Sequence, residues 1–394
     1  MSRTHRSSRL SQAATFAALS AIALISPKAF AHEKAPGASE RIAPPSQERA
    51  HIEVAFVLDT TGSMSGLIEG AKRKIWSIAN QLVSAQQQTD VRFALIGYRD
   101  RGDDYVTTVH DLSSDIDTVY AHLMQFQAEG GGDGPESVNQ ALAEAVSKLD
   151  WSESRDVYKV IFLVGDAPPH LDYQDDVRYD RSVRLARQRD IAINTVQCGA
   201  WDETAQIWRE IASLGAGSYA AIAQDGGMIA VTTPMDDELA KLNRELAGTV
   251  LAYGRAEERR DAESKVRNSL AAPAAAAADR LAYMSKLGEG TVVTGAKDLV
   301  DEAAAGNTVS EFEAEELPEP LRAMPAEKRQ EFVDQKLAER KQLQARLGEV
   351  TAERDGYLKK EDARLRASGS TDAFDQKVHD AIKTQAAAKG IKYE

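Results

Sequence analysis

The chain has 394 residues, 43% of them hydrophobic and 28% charged, which is enough apolar sequence for a buried core and argues against wholesale disorder. Its 48 Lys and Arg are outnumbered by 61 Asp and Glu, a net charge of −13, and that balance speaks against a nucleic-acid binder, whose surface must neutralise phosphates. The single cysteine, Cys198, excludes an intrachain disulfide and any thiolate-built metal site, and the seven histidines contain no HExxH pair.

The first element reads as a secretory signal. Arg3, Arg6 and Arg9 precede an apolar run from Ala13 to Ile25, and Ala29-Phe30-Ala31 is a small-x-small cleavage site. The run falls short of the roughly 20 apolar residues that span a bilayer. Cleavage after Ala31, a periplasmic or secreted product and no membrane span in the mature chain are therefore expected. Residues 32–50, rich in Pro, Glu and Ser, read as a flexible leader.

From Ile52 the pattern changes. Ile52 to Leu58 is a nearly continuous apolar strand, followed by Ile68, Ala71, Ile75, Ile78 and Leu82 on one helical face. Val91 to Tyr98 predicts a second strand, and Tyr105 to Val109 an antiparallel edge strand after a turn. Helical faces follow at Ile116–Phe126 and Val138–Leu149. Further strands are predicted at Val160–Val164, Ile191–Val196 and Ser218–Ile222. Strands alternating with helices predict an α/β fold over residues 51–232, a doubly wound, mostly parallel sheet with helices on both faces. An α-helical C-terminal region, 233–394, is expected to follow. In it, Leu239 to Tyr253 reads as one helix, Ala271 to Ala278 as a low-complexity linker, and Gly288 to Gly295 as a break. Residues 326–367 read as a long helix, as a coiled-coil arm or as a solvated helix packed on the rest, with Arg354 interrupting its apolar stripe. The α/β part, cut near residue 255, is expected to fold alone.

In doubly wound sheets, ligands sit at the carboxyl ends of the strands. Three such ends carry oxygen donors here: Asp59-Thr60-Thr61-Gly62-Ser63, Gly130-Gly131-Gly132-Asp133-Gly134-Pro135-Glu136, and Gly165-Asp166-Ala167-Pro168-Pro169-His170. Carboxylates and hydroxyls without thiolates or clustered imidazoles favour a hard divalent cation, Mg²⁺, Ca²⁺ or Mn²⁺. Each part also has an ordinary structural reading. Ser63 could cap the following helix, Asp133 and Glu136 could form a capping box, and Asp166 could be a turn residue.

Taken together, these segments resemble the von Willebrand factor type A (VWA) domain. Its metal-ion-dependent adhesion site begins with Asp-x-Ser/Thr-x-Ser after the first strand, matched by Asp59, Thr61 and Ser63. Asp166 matches the third-loop aspartate, and Asp133 stands where the family usually has threonine. The resemblance implies one divalent cation held by Asp59, Thr61, Ser63, Asp133 and Asp166, with Mg²⁺ favoured. The extra carboxylate of Asp133 would either shift the donor set toward Ca²⁺ or lessen the need for an acidic partner group. It also implies a protein partner that completes the coordination with an Asp or Glu side chain, and no catalysis. The competing readings are a metal-dependent hydrolase of phosphoesters, for which only Glu136 and His170 offer weak general-base candidates, and a cell-envelope structural protein. The helical tail would then be a spacer, a docking surface or a self-association element. Cys198 reads as a small buried apolar side chain and His170 as a solvated loop residue.

Overall fold

In the computed structural model, residues 49–132, 134–227, 231–286, 297–367 and 373–393 are described. The expected signal, the leader up to residue 48, the 288–295 glycine break and Asp133 lie outside them. Strands β1 (Ala50–Asp59), β2 (Thr89–Tyr98), β3 (Thr107–Ser113), β4 (Tyr158–Gly165), β5 (Ile191–Cys198) and β6 (Ala216–Ile222) form one sheet in the order β3-β2-β1-β4-β5-β6. All neighbours are parallel except β2 and β3. The apolar runs have the expected cause, because Val54, Phe56 and Leu58 enter one core while Ala55 and Val57 enter the other. Edge strand β3 starts later than the sequence predicts and reaches Ser113, since its pairing with β2 continues past an irregularity between Phe93 and Leu95.

One face of the sheet is covered by α3 (Val138–Ser147), α4 (Tyr179–Gln188) and α5 (Asp202–Leu214), whose apolar sides share a core with Ile161 and Ile193. The other face carries α1 (Ser65–Leu82) and α2 (Ile116–Gln125). It is completed by the C-terminal region: α6 (Asp236–Ala247), α7 (Ala256–Ala271), α8 (Ala274–Lys286), α9 (Leu299–Ala304), α10 (Glu319–Arg322), α11 (Ala326–Ala367) and α12 (Ala373–Ala386). Leu281, Tyr283, Leu347, Phe374, Val378 and Ile382 belong to the same apolar cluster as Ile52, Trp76 and Phe162. Residues from 47 onward form one compact unit.

Four expectations for this region change. The helix expected to reach Tyr253 ends at Ala247, because Gly248 caps it and Ala252 pairs with Asp298 in an antiparallel bridge. The expected alanine linker is largely the start of α8, with Ala276, Ala277 and Ala278 buried. Alanine is the best helix former and its short side chain lets α8 pack closely on α1 and α6. The expected coiled-coil arm is instead packed against its own chain from Val333 to Arg354, with Val333, Arg340, Leu347 and Arg354 buried at seven-residue spacing. Its partners are α6, α8 and α9. Arg354 does not interrupt that stripe, since Asp236 and Asp279 neutralise it at 2.9 and 2.6 Å. Last, the α/β part is not a separable body. Arg280 of α8 makes a two-pronged contact with Asp117 of α2, Nε at 2.7 Å and Nη2 at 2.6 Å, with both side chains buried. Gln385 of α12 bonds Tyr158 and Asn194 on β4 and β5 at 2.7 Å each.

A fragment of residues 48–255 should therefore lack fixed packing. Near-UV circular dichroism should be lost while far-UV signal remains, against a full chain that shows both. In the full chain, Arg280→Ala leaves the buried Asp117 carboxylate without its guanidinium. It should lower stability by about 3–5 kcal/mol in urea unfolding, the range for breaking one side of a buried pair.

Candidate functional site

Asp59 is the last residue of β1, in register with Tyr98 of β2, and it is fully buried. Its Oδ1 accepts from the Thr61 amide at 2.8 Å and the Thr61 hydroxyl at 2.6 Å. Its Oδ2 is buried and takes no hydrogen bond among the described residues. The Thr61 hydroxyl also lies 3.2 Å from that of Ser63. Ser63 makes no helix cap, as neither the short turn from Gly62 nor α1 has a side-chain cap bond. Ser63 is exposed as a residue, and its hydroxyl lies beside that of Thr61 instead.

Asp166 follows β4 directly and stands next to Asp59 across the parallel pair. The approach is close: a Cβ on Gly165 would lie 2.9 Å from the Asp59 Cβ and 2.4 Å from the Tyr98 hydroxyl. Only glycine fits there. The Asp166 carboxylate accepts from the Gln224 side-chain amide at 2.7 Å, and the same amide nitrogen reaches the Ser63 carbonyl at 3.2 Å. Gln224 thus ties the loop after β6 to two of the site loops.

The glycine-rich loop is clipped to the first loop by two backbone bonds, Gly62 N to Gly130 O at 3.2 Å and Glu129 N to Thr60 O at 3.1 Å. Gly130 and Gly131 have φ of +75° and +73°, a left-handed backbone that glycine adopts freely. Asp103 accepts from the Gly131 amide at 3.1 Å. Behind this loop Glu136 is buried, with its Oε2 unpartnered among the described residues. A Cβ on Gly131 would sit 3.4 Å from the Glu136 Oε1 and 3.3 Å from the Thr61 Cβ, so Glu136 borders the site. The expected capping role of Glu136 is not seen, because α3 has no side-chain cap bond at its N-terminus.

The electrostatics follow from burial. Desolvation pushes the Asp59 carboxyl up to about 7 against the Thr61 hydrogen bonds, with the negative charge of Asp166 adding to the rise. Desolvation raises Glu136 further, to about 9, helped by the charges of Asp59, Asp100, Asp103 and Asp166. The Tyr98 hydroxyl is raised by burial and by Asp59, Glu136 and Asp166. The site is thus an excess of negative charge in a low-dielectric setting, with no basic side chain hydrogen-bonded to Asp59 or Asp166 among the described residues.

Of the residues singled out from sequence, the structure brings Asp59, Thr61, Ser63 and Asp166 together, and Asp133 lies outside the described residues. His170 is not a solvated loop residue. It is buried, with Nε2 at 3.2 Å from Asp100 and Nδ1 at 2.8 Å from Asp172, and its ring stacks on Tyr173. Asp100 in turn accepts from Ser137 at 2.9 Å, so this network braces the glycine-rich loop. Cys198 is buried as expected. Sequence reasoning missed Gln224 and Asp103, whose positions no local pattern marks. It noted Glu136 only as a cap or weak base.

The family model of the von Willebrand factor A domain matches residues 53–234. The von Willebrand factor A domain-containing protein 7 of Rattus norvegicus is 37% identical over 136 residues, 34% of this chain and 14% of that protein. The alpha-protein kinase vwkA of Dictyostelium discoideum is 27% identical over 121 residues, 30% of this chain and 19% of that protein. Among the first curated relatives, the chain spans only 12–19% of their own length. Of solved structures, BatB from Bacteroides thetaiotaomicron is 15% identical over 44% of this chain and 90% of its own, with a TM-score of 0.35. Residues 53–234 of this chain form a von Willebrand factor A domain.

Proposed function

We propose that this is an exported, non-enzymatic binding protein. Its VWA domain holds one divalent cation through Asp59, Thr61, Ser63, Asp133 and Asp166. An Asp or Glu side chain of a protein partner completes the coordination. The observation that carries the reading is Asp59: a fully buried carboxylate with one oxygen saturated by Thr61 and the other, Oδ2, without a hydrogen-bond partner among the described residues. A buried, unpaired acceptor is costly, and a cation placed between Asp59 and Asp166 would offset both the desolvation and their mutual repulsion. An all-oxygen donor set suits Mg²⁺ first, with Ca²⁺ and Mn²⁺ as competitors. The ion supplies a charged centre open to an acidic ligand. The residues of the chain orient it: Thr61 fixes the Asp59 rotamer, Ser63 presents its hydroxyl, and Gln224 sets the Asp166 carboxylate.

Two features favour binding over hydrolysis. Glu136 is buried behind the glycine-rich loop, withdrawn from the solvent water that a general base would have to activate. His170, the other candidate, is engaged on both ring nitrogens by Asp100 and Asp172. Export is supported by the basic start, short apolar run and Ala29-Phe30-Ala31.

Calorimetric titration of chelated protein with Mg²⁺, Ca²⁺, Mn²⁺ and Zn²⁺ should show one site. Asp59→Ala and Asp166→Ala should each weaken it beyond the roughly 10–100-fold typical of residues behind a ligand. Both variants should keep the wild-type far-UV spectrum, and undiminished binding in the double variant would sink the site. A saturating cation should also raise Tm by mass action, about 2.7 kcal/mol of stabilisation at 100 times Kd. Capture of partners from a cell-envelope extract should be lost on adding chelator and in Asp59→Ala alike; chelator-independent capture would make the ion merely structural.

A further inference from the structure

We infer that this chain associates with copies of itself head to tail, the arginine face of α4 on one copy docking against the acidic stretch 311–319 of the next. Helix α4 buries Tyr179, Ser182, Val183 and Ala186. Its solvent half presents Arg178, Arg181, Arg184 and Arg187, with Arg189 just beyond, all exposed. One acid, Asp180, shares that half, and it serves Arg184 at 2.6 Å and Arg178 at 3.9 Å. Arg181 and Arg187 make no ion pair among the described residues. In a chain of net charge −13, such a basic face is a local reversal whose potential attracts an anionic surface.

The same chain offers the complement. Between Lys297 and Arg322 there is no basic residue, and residues 311–319 carry Glu311, Glu313, Glu315, Glu316 and Glu319. Four of these are exposed, and Glu316 is half-buried. Glu311 caps a short turn through Thr308, while Glu313, Glu315 and Glu319 make no ion pair among the described residues. The two stretches have different neighbours within one chain: α4 packs on α3, α5 and β5, whereas the turn at Val309–Glu311 packs on α11. Each therefore remains available to another copy. A ten-residue helix is about 15 Å long, a span that a nine-residue stretch can follow.

In the head-to-tail arrangement the contact is heterologous and builds chains or rings. It is driven by exposed charge, so it should be weak, fast and steeply salt-dependent. Sedimentation velocity on the full mature chain, with chelator present so that the cation site plays no part, tests it. At about 0.05 M NaCl the mean mass should at least double with rising concentration. It should return to the monomer at about 0.5 M, where screening lengths shrink to a few ångströms. Arg181→Glu/Arg184→Glu/Arg187→Glu should be monomeric at low salt, and so should Glu313→Arg/Glu315→Arg/Glu316→Arg, each with wild-type circular dichroism. Mixed, the two variants should assemble again, because the intact α4 of one meets the intact acidic stretch of the other and the two reversed surfaces are complementary as well. A wild type that stays monomeric at low salt overturns the proposal. So does assembly that survives either triple reversal, or a mixture that fails to pair. Loss in the arginine variant alone would assign α4 to a different anion and overturn it equally.

Discussion

A parallel sheet exposes no face to water without cost, and in this chain the cover for one face is assembled from two distant stretches of sequence. Helices α3, α4 and α5 come from within the strand–helix alternation, as does the pair α1 and α2. Yet α1 and α2 alone do not close their face. Helices α8 and α12 pack on α1, and Phe374, Val378 and Ile382 join the core of β1 and β4. The polar side chains at this junction are paired: Arg280 with Asp117, Arg354 with Asp236 and Asp279, Arg340 with Asp298 and Asp301 at 2.7 Å each. Such pairs add little net stability over apolar residues, but losing one partner is expensive. They hold the register of the helical layer against the VWA domain.

With both faces covered, chemistry is left to the strand ends. The carboxyl ends of β1 and β4 bring Asp59 and Asp166 side by side, and Gly165 permits the approach that any larger residue would prevent. Around them the chain has built support: Arg99 bonds the Thr60 and Gln127 carbonyls at 3.2 and 2.8 Å, and Asp100 gathers Ser137, His170 and Tyr173. The loops of the site are held by these contacts, so its geometry is in place before any ligand arrives. Such preorganisation would suit the proposed presentation of a charged centre to a partner.

The arginine face of α4 and the glutamates of 311–319 lie on surfaces that neither the core nor the cation site requires. In the proposed reading, a cation at the strand ends would recognise one acidic side chain through a strong, directional contact. The charged stretches act through many weak, screened ones, so their partner is set by pattern more than by geometry.

How much of this the amino-acid sequence contains differs by level. Strand and helix positions in 51–232 are written in local periodicity, because a residue's face follows from its spacing alone; the edge strand is misplaced only because its extent depends on β2. Asp59, Thr61, Ser63 and Asp166 are legible since each sits at a predicted strand end. Gln224, Asp103 and the bordering role of Glu136 are not: the partners of Asp103 and Gln224 lie 28 to 161 positions away in the chain, and only the crossing of loops brings Glu136 near Thr61. The alanine stretch 274–278 looks like a linker because composition does not report burial, and the stripe of α11 looks like a coiled coil because period does not name the partner. Local sequence thus determined the elements and the donor chemistry. Tertiary structure alone decided what covers the sheet and what braces the site, because those depend on contacts between residues far apart in the chain.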